Sequence, residues 1–274
     1  MEDVRALAIR FADLWAVDHH QMVDEVYAPG IHMEPMARPG APIDGLTALH
    51  ALEDDLALRI PAHRHELVRV LVDAPRAFLE TTVVGPTTGE YAQAAVWWRL
   101  DGGDDGRVGR VVHEIGWFNW DLRTSDARRS RGSVPPDDGR PRGADWYERR
   151  AHLLAAAWNV DPVVAITEHL RPGTSVTRVG FDERTGAATA AALAQHVTTA
   201  LPAPSVEVTD VLGEGAVMAV LCTVTYDGRR TRGTIVVTFD PQDEIAGIRA
   251  YVDWARSVAI DETTAVRPDE LEER

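Results

Sequence analysis

The feature that most constrains the fold is an internal repeat that divides the chain in two. Residues 15–30 read WAVDHHQMVDEVYAPG and residues 158–173 read WNVDPVVAITEHLRPG, and the two segments align without a gap at a constant offset of 143 residues. Six of the sixteen positions are identical: Trp15/Trp158, Val17/Val160, Asp18/Asp161, Glu25/Glu168, Pro29/Pro172 and Gly30/Gly173. This period is too long for a solenoid unit, so the sequence predicts two homologous domains.

A segment poor in large apolar side chains separates the two halves. It reads TSDARRSRGSVPPDDGRPRGA and is rich in Arg, Asp, Pro, Gly and Ser, as a solvated linker would be. We therefore predict a first domain over residues 1–123, a linker over 124–144, a second domain over 145–260 and an acidic tail over 261–274.

Both halves show the same order of predicted elements, α-α-β-α-β-β-β-β. In the first helix Val4, Leu7 and Phe11 fall on one face, as the helical period requires. Helices that precede an antiparallel meander indicate an α+β fold. We expect two tandem domains, each a curved antiparallel sheet that wraps around its N-terminal helices as a cone.

The second helix of each half has start and stop signals. Asp18 and Gln21 form a predicted capping box, and in the second half Asp161 is followed by Pro162, a residue favoured at the first helical position. A Pro-Gly pair, at 29–30 in the first half, is predicted to end this helix.

Charge and composition exclude several functions. The net charge of −15 argues against a nucleic-acid partner, because such partners require basic patches. All 28 basic residues are arginines, which excludes a Schiff-base lysine and a Walker-type phosphate loop. The GGDDG stretch at 102–106 is typical of a hairpin turn and not of a dinucleotide-binding loop. No cofactor is predicted.

The sequence also gives an expected location. No stretch approaches eighteen uninterrupted apolar residues, and Glu2, Asp3 and Asp13 interrupt the region where a signal peptide would need a basic start and an apolar run. The single cysteine, Cys222, permits no internal disulfide and fits a reducing compartment. We expect a cytoplasmic protein without a membrane partner.

One acidic residue stands at the end of a predicted strand, in the run IHMEPM at residues 31–36. Ile31 and Met33 alternate with His32 and Glu34, so that Glu34 could simply face solvent. The alternative is a general base at the mouth of an apolar cavity, where partial burial would raise the pKa of the carboxyl.

The order of elements, the run YAPGIHMEP and a last strand that ends in aromatic-x-Asn/Asp resemble the nuclear-transport-factor-2-like superfamily, which includes ketosteroid isomerases and SnoaL-like cyclases. Two such domains in one chain resemble the epoxide-opening cyclases of polyether biosynthesis. The resemblance implies a catalytic carboxylate before the proline of the strand end, here Glu34. It also implies a second catalytic position within PAHRHEL, at or near His63, His65 or Glu66, so that a Glu–His pair would replace two carboxylates.

The sequence departs from these relatives at several positions. The oxyanion-stabilising Tyr of the isomerases corresponds to Phe11, their protonated Asp corresponds to a position near Val96, and an Asp of the last strand corresponds to Gly116. In the alignment of the two halves, Thr177 occupies the position of Glu34. Steroid isomerisation by that arrangement is therefore not expected, and the second domain is predicted to be degenerate.

The histidines near residue 64 admit three interpretations. His63 and His65 would share a face on a strand, and with His113 they could bind a metal, but the spacings of known metal motifs are absent and no metal is predicted. They could instead pair with Glu34 as acid and base, since imidazole titrates near neutral pH. They could also be surface residues. We predict Glu34, His65 and His63 as the catalytic residues.

Aromatic residues cluster in the last two strands of the first half: Trp97, Trp98, Trp117 and Trp120. They could pack the sheet against its helices or a partner domain, or they could line a pocket for an apolar, ring-bearing substrate. Trp97 and Trp98 are adjacent and must point to opposite faces, so only one can line a cavity. The residues predicted to bind substrate are His32, Trp97, His113, Trp117 and Asn119.

The resemblance implies a cofactor-independent acid/base enzyme of secondary metabolism, of the kind found in polyketide and antibiotic biosynthesis. It would catalyse cyclisation, epoxide opening or isomerisation of a hydrophobic small molecule. The alternative is a non-catalytic carrier or interaction module, in which the domains form a pseudo-dimer through the outer faces of their sheets. The chain is expected to be a monomeric pseudo-dimer or a homodimer.

Overall fold

The computed structural model describes residues 4–35, 42–62, 64–85, 91–102, 109–118, 140, 142–178, 204–252 and 258–259. The predicted acidic tail and almost all of the predicted linker lie outside these residues, as do two of the candidate site residues, His63 and Asn119.

The first half forms three helices and a six-stranded sheet. The elements are α1 (Val4–Val17), α2 (His19–Val26), β1 (Tyr27–Pro35), β2 (Ile43–Asp44), α3 (Gly45–Arg59), β3 (Arg64–Asp73), β4 (Arg76–Val84), β5 (Tyr91–Leu100) and β6 (Val111–Phe118). The strand order is β2-β1-β6-β5-β4-β3. Strands β3 to β6 form the predicted antiparallel meander, while β1 joins the sheet parallel to β6.

The second half repeats the two N-terminal helices, the parallel strand and the antiparallel meander; the third helix predicted between its first two strands falls within residues 179–203, outside the described residues. Its elements are α4 (Ala144–Val160), α5 (Pro162–His169), β7 (Leu170–Arg178), β8 (Ser205–Glu214), β9 (Val217–Tyr226), β10 (Arg229–Phe239), β11 (Ile245–Val252) and β12 (Val258–Ala259). The order is β7-β11-β10-β9-β8, with β12 beside β10 and β7 parallel to β11. The predicted α+β fold with two tandem helix-and-sheet domains is confirmed.

The predicted caps explain where the short helices begin. The Asp18 carboxylate accepts a hydrogen bond from the backbone N–H of Gln21 at 2.9 Å, and Asp161 caps α5 in the same way. The Gln21 side chain donates to Glu25 instead of completing a capping box. The Pro-Gly pair at 29–30 does not end α2, which stops at Val26; it lies within β1, where the pairing register with β6 shifts.

The first domain buries its helices against the inner face of its sheet. Leu7, Phe11 and Trp15 of α1 are each no more than 6% exposed and join one core with Leu79 of β4 and Trp98 of β5. The equivalent core of the second domain contains Tyr147 of α4. Each sheet therefore has one face that is covered by its own helices.

The outer faces of the two sheets pack against each other. Trp97 donates its indole N–H to the Thr234 hydroxyl across this contact at 2.9 Å, and Trp117 meets Tyr251 with ring centroids 5.3 Å apart. The inter-sheet core consists of Leu71, Phe78, Ala95, Trp97, Ile115, Trp117, Leu212, Val217, Ala219, Leu221, Val236 and Tyr251. The two domains thus contact each other through the outer faces of their sheets.

A buried ionic cluster lies within this inter-sheet contact. Glu80 of β4 is 1% exposed and lies 3.3 Å from Arg69 and 3.1 Å from Arg249, and the Tyr251 hydroxyl donates to it. Removing one member of such a cluster leaves an uncompensated buried charge. The sequence analysis did not predict this cluster, because its members come from three strands of two domains.

In the part of the chain that the structure describes, no helix combines the length and the apolar character that crossing a membrane would require.

Matched leucine truncations test the inter-sheet contact. We expect Leu221→Ala to lower the free energy of unfolding by about 2–5 kcal/mol, because Leu221 is 3% exposed and its truncation leaves a cavity between the sheets. Leu58→Ala, on the exposed side of α3 at 83% exposure, should change it by less than about 0.5 kcal/mol. Urea unfolding measures both, and equal effects would show that the sheets do not pack in this way.

Candidate active site

A glutamate of the last strand lies inside the first cone. Alternation along β6 turns Glu114 toward the helices, while its neighbour Ile115 faces the second domain. The Tyr27 hydroxyl and the Trp98 indole N–H donate to Glu114 Oε2 at 2.7 and 2.8 Å. Glu114 is 1% exposed, so a titratable group is held within an aromatic interior.

A second glutamate reaches the same interior from α3. Glu53 is 6% exposed, and the Trp15 indole N–H donates to its Oε2 at 2.6 Å. It occupies the buried side of the helix, in line with Leu49 and Leu56 at a spacing of four and three residues. The helix thus carries a carboxyl group into a core that is otherwise apolar on this face.

Burial shifts the titration of both carboxyls toward neutral pH. Desolvation raises the pKa of Glu53 from 4.5 to about 8, with the Trp15 hydrogen bond opposing and the nearby charge of Glu114 adding to the rise. Desolvation likewise raises the pKa of Glu114 to about 7, against the hydrogen bonds from Tyr27 and Trp98. Because the two groups interact, protons leave them as a coupled pair.

The hydrogen bonds also decide which oxygen carries the proton. Each carboxyl accepts from its donors through Oε2. An oxygen that accepts from a phenol or an indole is the poorer place for a proton, so these contacts favour Oε1 as the protonated oxygen of either acid. Burial raises the pKa of Tyr27 as well, so its hydroxyl stays a donor.

His65 lies in this interior, and not beside Glu34. It is 8% exposed, and its ring packs edge-on against Trp15 at 4.0 Å and Phe11 at 5.2 Å between ring centroids. The predicted Glu34–His65 pair is therefore wrong: the two side chains lie on opposite faces of the sheet.

Glu34 lies on the outer face, at the contact with the second domain. His113 Nε2 is 3.1 Å from Glu34 Oε1, and Arg232 of β10 forms an ion pair with Oε2. Burial by itself would raise the pKa of Glu34, but the His113 hydrogen bond and the Arg232 charge outweigh it and lower the pKa to about 2. The expected raised pKa is wrong, and a carboxylate so weakly basic is a poor general base.

Four of the five predicted substrate-binding residues also lie on the outer face. Trp97 and Trp117 pack between the sheets, whereas the adjacent Trp98 faces the cone. His32 and His113 flank Glu34, with ring centroids 5.4 Å apart. His63 and Asn119 fall outside the described residues.

The sequence analysis identified neither Glu53 nor Glu114 as a site residue. The signal for Glu53 was present, since Leu49, Glu53, Leu56 and Ile60 follow the spacing of one helical face. The signal for Glu114 was not, because the pairing register between β5 and β6 shifts near Arg99 and Leu100 and breaks simple alternation.

Comparisons with known proteins give fold-level similarity only. No family model matches the chain, and no curated protein matches it. A solved structure assigned as a SnoaL-like polyketide cyclase, from Jannaschia sp. CCS1, is 16% identical, covering 47% of this chain and 91% of its own at a TM-score of 0.35. A protein assigned as an isomerase of the SnoaL-like family, from Agrobacterium tumefaciens, is 14% identical, covering 41% and 94% at a TM-score of 0.34. Similarity at these identities and TM-scores carries no information about the reaction of this chain.

Stability should depend on pH through the two interior carboxyls. Both have pKa values raised in the folded state, so between pH 4.5 and 8 the folded protein holds protons that the unfolded chain releases. The free energy of unfolding therefore falls as pH rises through this window. Glu53→Gln should flatten the dependence by up to about 1.4 kcal/mol per pH unit relative to the wild type. Urea unfolding at several pH values measures this, with exposed Glu148→Gln as the control; identical curves for Glu53→Gln and wild type would contradict the burial.

The titration of Glu34 should depend on the second domain. Arg232→Gln removes the cation that lowers the pKa of Glu34, while burial remains, so the pKa should rise above about 2. NMR titration of the Glu34 carboxyl carbon, in a buffer with EDTA, measures the shift. Arg64→Gln is the control, because Arg64 pairs with Glu66 instead. An unchanged Glu34 titration in Arg232→Gln would refute the ion pair.

Proposed function

We propose that the first domain is a cofactor-independent acid/base enzyme that acts on a hydrophobic small molecule inside its cone. The observation that carries this proposal is the pair of buried carboxyls, Glu53 and Glu114, whose pKa values of about 8 and about 7 lie near neutral pH. Perturbed titratable groups in an enclosed site are typical of catalytic residues. Phe11, Trp15 and Trp98 are buried in the same core, so a substrate that reached the carboxyls would meet aromatic side chains, which favours a ring-bearing or polyene-derived molecule.

Two carboxyls that titrate near neutral pH suit opposite roles in one reaction. One of Glu53 and Glu114 would be ionised and accept a proton from the substrate, while the other would be protonated and donate one. Tyr27 would steady Glu114 through their 2.7 Å hydrogen bond. Epoxide opening, cyclisation and isomerisation each need such a pair, and the sequence resemblance to SnoaL-like and polyether cyclases favours these reactions.

This proposal moves the chemistry away from Glu34. The sequence analysis expected Glu34 and His65 as partners, whereas the carboxyls that titrate near neutral pH are Glu53 and Glu114. His65 stays in the proposal as a wall of the same interior, since its ring contacts Trp15, the donor to Glu53.

The alternative is a non-catalytic carrier or interaction module. The observation in its favour is that the donors to both carboxyls come from the interior itself, so that Glu53 and Glu114 are hydrogen-bonded without a ligand. In that case the carboxyls would serve packing or ligand binding, and their charge state would not matter for turnover.

Complementation of a gene deletion distinguishes the two functions. In the organism that encodes this chain, deletion should cause a hydrophobic precursor to accumulate. Wild type and Glu148→Gln should restore its conversion, and Glu114→Gln should lower the rate by about 10²–10⁴-fold, because a positioned acid/base group contributes about that much. Metabolite profiling by mass spectrometry measures the outcome.

Two results would speak against the enzyme. Full complementation by both Glu114→Gln and Glu53→Gln would favour the carrier, as would a precursor level that the deletion does not change. With the purified protein and the accumulated precursor, the rate should follow a bell-shaped pH profile whose apparent pKa values belong to the coupled pair.

A further inference from the structure

Three potential metal ligands converge on the outer face of the first sheet, outside the proposed active site. His32 and Glu34 lie two residues apart on β1, and His113 lies beside them because β1 and β6 pair with His32 opposite His113. Glu34 Oε1 is 3.1 Å from His113 Nε2 and 3.8 Å from His32 Nε2. One ligand atom from each residue lies within 4.8 Å of the other two.

These distances fit a transition-metal ion. With metal–nitrogen and metal–oxygen bonds of about 2.0–2.2 Å, two ligand atoms of a tetrahedral site are separated by about 3.3–3.5 Å. The separations of 3.1 and 3.8 Å from Glu34 to the two histidines lie on either side of that range. Two histidines and one glutamate also form the ligand set of several catalytic zinc sites.

The surroundings hold the ligands in a suitable state. Asp44 Oδ1 lies 2.7 Å from His32 Nδ1, and this contact favours the tautomer that carries its proton on Nδ1 and leaves the Nε2 lone pair for a metal. Arg232 binds Glu34 through Oε2 and leaves Oε1 toward the histidines.

We propose that His32, Glu34 and His113 bind one divalent transition-metal ion, for which Zn²⁺ is the expected occupant. His113 would bind through Nε2, and a proton on that nitrogen would be released to solvent or moved to Nδ1. The three side chains are 33%, 23% and 21% exposed, which leaves a fourth position accessible to water or to an anionic group attracted by Arg232. The site lies on the opposite face of the sheet from Glu53 and Glu114 and is independent of the proposed reaction.

A second cluster provides the internal comparison. His19 and His20 both contact Asp54 Oδ1, at 2.9 and 2.8 Å, and this group of three also lies within metal-binding range. Asp54 is 55% exposed, and one oxygen serves both histidines. The double variant His19→Ala/His20→Ala, which removes this second cluster, is therefore the control for metal binding at the first cluster.

The test is a titration of the untagged, EDTA-treated full chain with Zn²⁺ by calorimetry, and with Co²⁺ by visible absorption. The wild type and His19→Ala/His20→Ala should bind an ion with the same affinity at this site, and Co²⁺ should show the absorption of a tetrahedral site. His32→Ala and His113→Ala should lose this binding by more than about 100-fold, since even second-sphere changes cost about 10–100-fold. Asp44→Asn should weaken it by about tenfold or more, and Asp44 is 76% exposed, so this variant tests the site without disturbing the core.

Three results would overturn the proposal: no saturable Zn²⁺ binding by the wild type, unchanged binding in His32→Ala and His113→Ala, or loss of all binding in His19→Ala/His20→Ala. Thermal unfolding of every variant without metal checks that it is folded. If the histidine variants do not fold, Asp44→Asn decides alone, and unchanged affinity in that variant then counts against the site.

Discussion

The contact between the outer faces of the two sheets is the constraint on which the rest of the structure depends. β4 and β9 are buried along almost their whole length, because helices cover one face and the other sheet covers the opposite face. A strand without a solvent side leaves its polar residues no water to bind, so each needs a partner within the protein. Glu80 meets that need through a hydrogen bond from the Tyr251 hydroxyl and through ion pairs with Arg69 and Arg249, which come from different domains.

The same contact gives the carboxylates of the first domain two different environments. Glu114 faces the cone, where its partners are neutral donors, and burial raises its pKa toward neutrality. Glu34, on the neighbouring strand but the opposite face, meets the Arg232 cation, and its pKa falls to about 2. The inner face of the sheet therefore suits proton transfer, and the outer face suits the binding of a charged ligand. For this reason we propose an acid/base site on the inner face and a metal site on the outer face.

Much of the architecture could be predicted because it depends on local patterns. The repeat identified two similar halves, and Asp18 and Asp161 cap the helices that their positions indicated. The candidate site was predicted less well. The prediction that Trp97 lines the pocket, and the predicted pairing of Glu34 with His65, both required knowing which side of a strand faces the cone. Because both faces of the sheet are apolar, the alternation of residues along a strand does not show which face that is.

The sequence by itself determined the duplication, the order of helices and strands, and the presence of an acidic side chain at residue 34. Only the tertiary structure decided the partners of each carboxyl, because the Arg232–Glu34 and Tyr27–Glu114 contacts join residues that are 198 and 87 positions apart. The protonation of a carboxyl follows from its burial and its neighbouring charges, and these exist only after the sheets have packed.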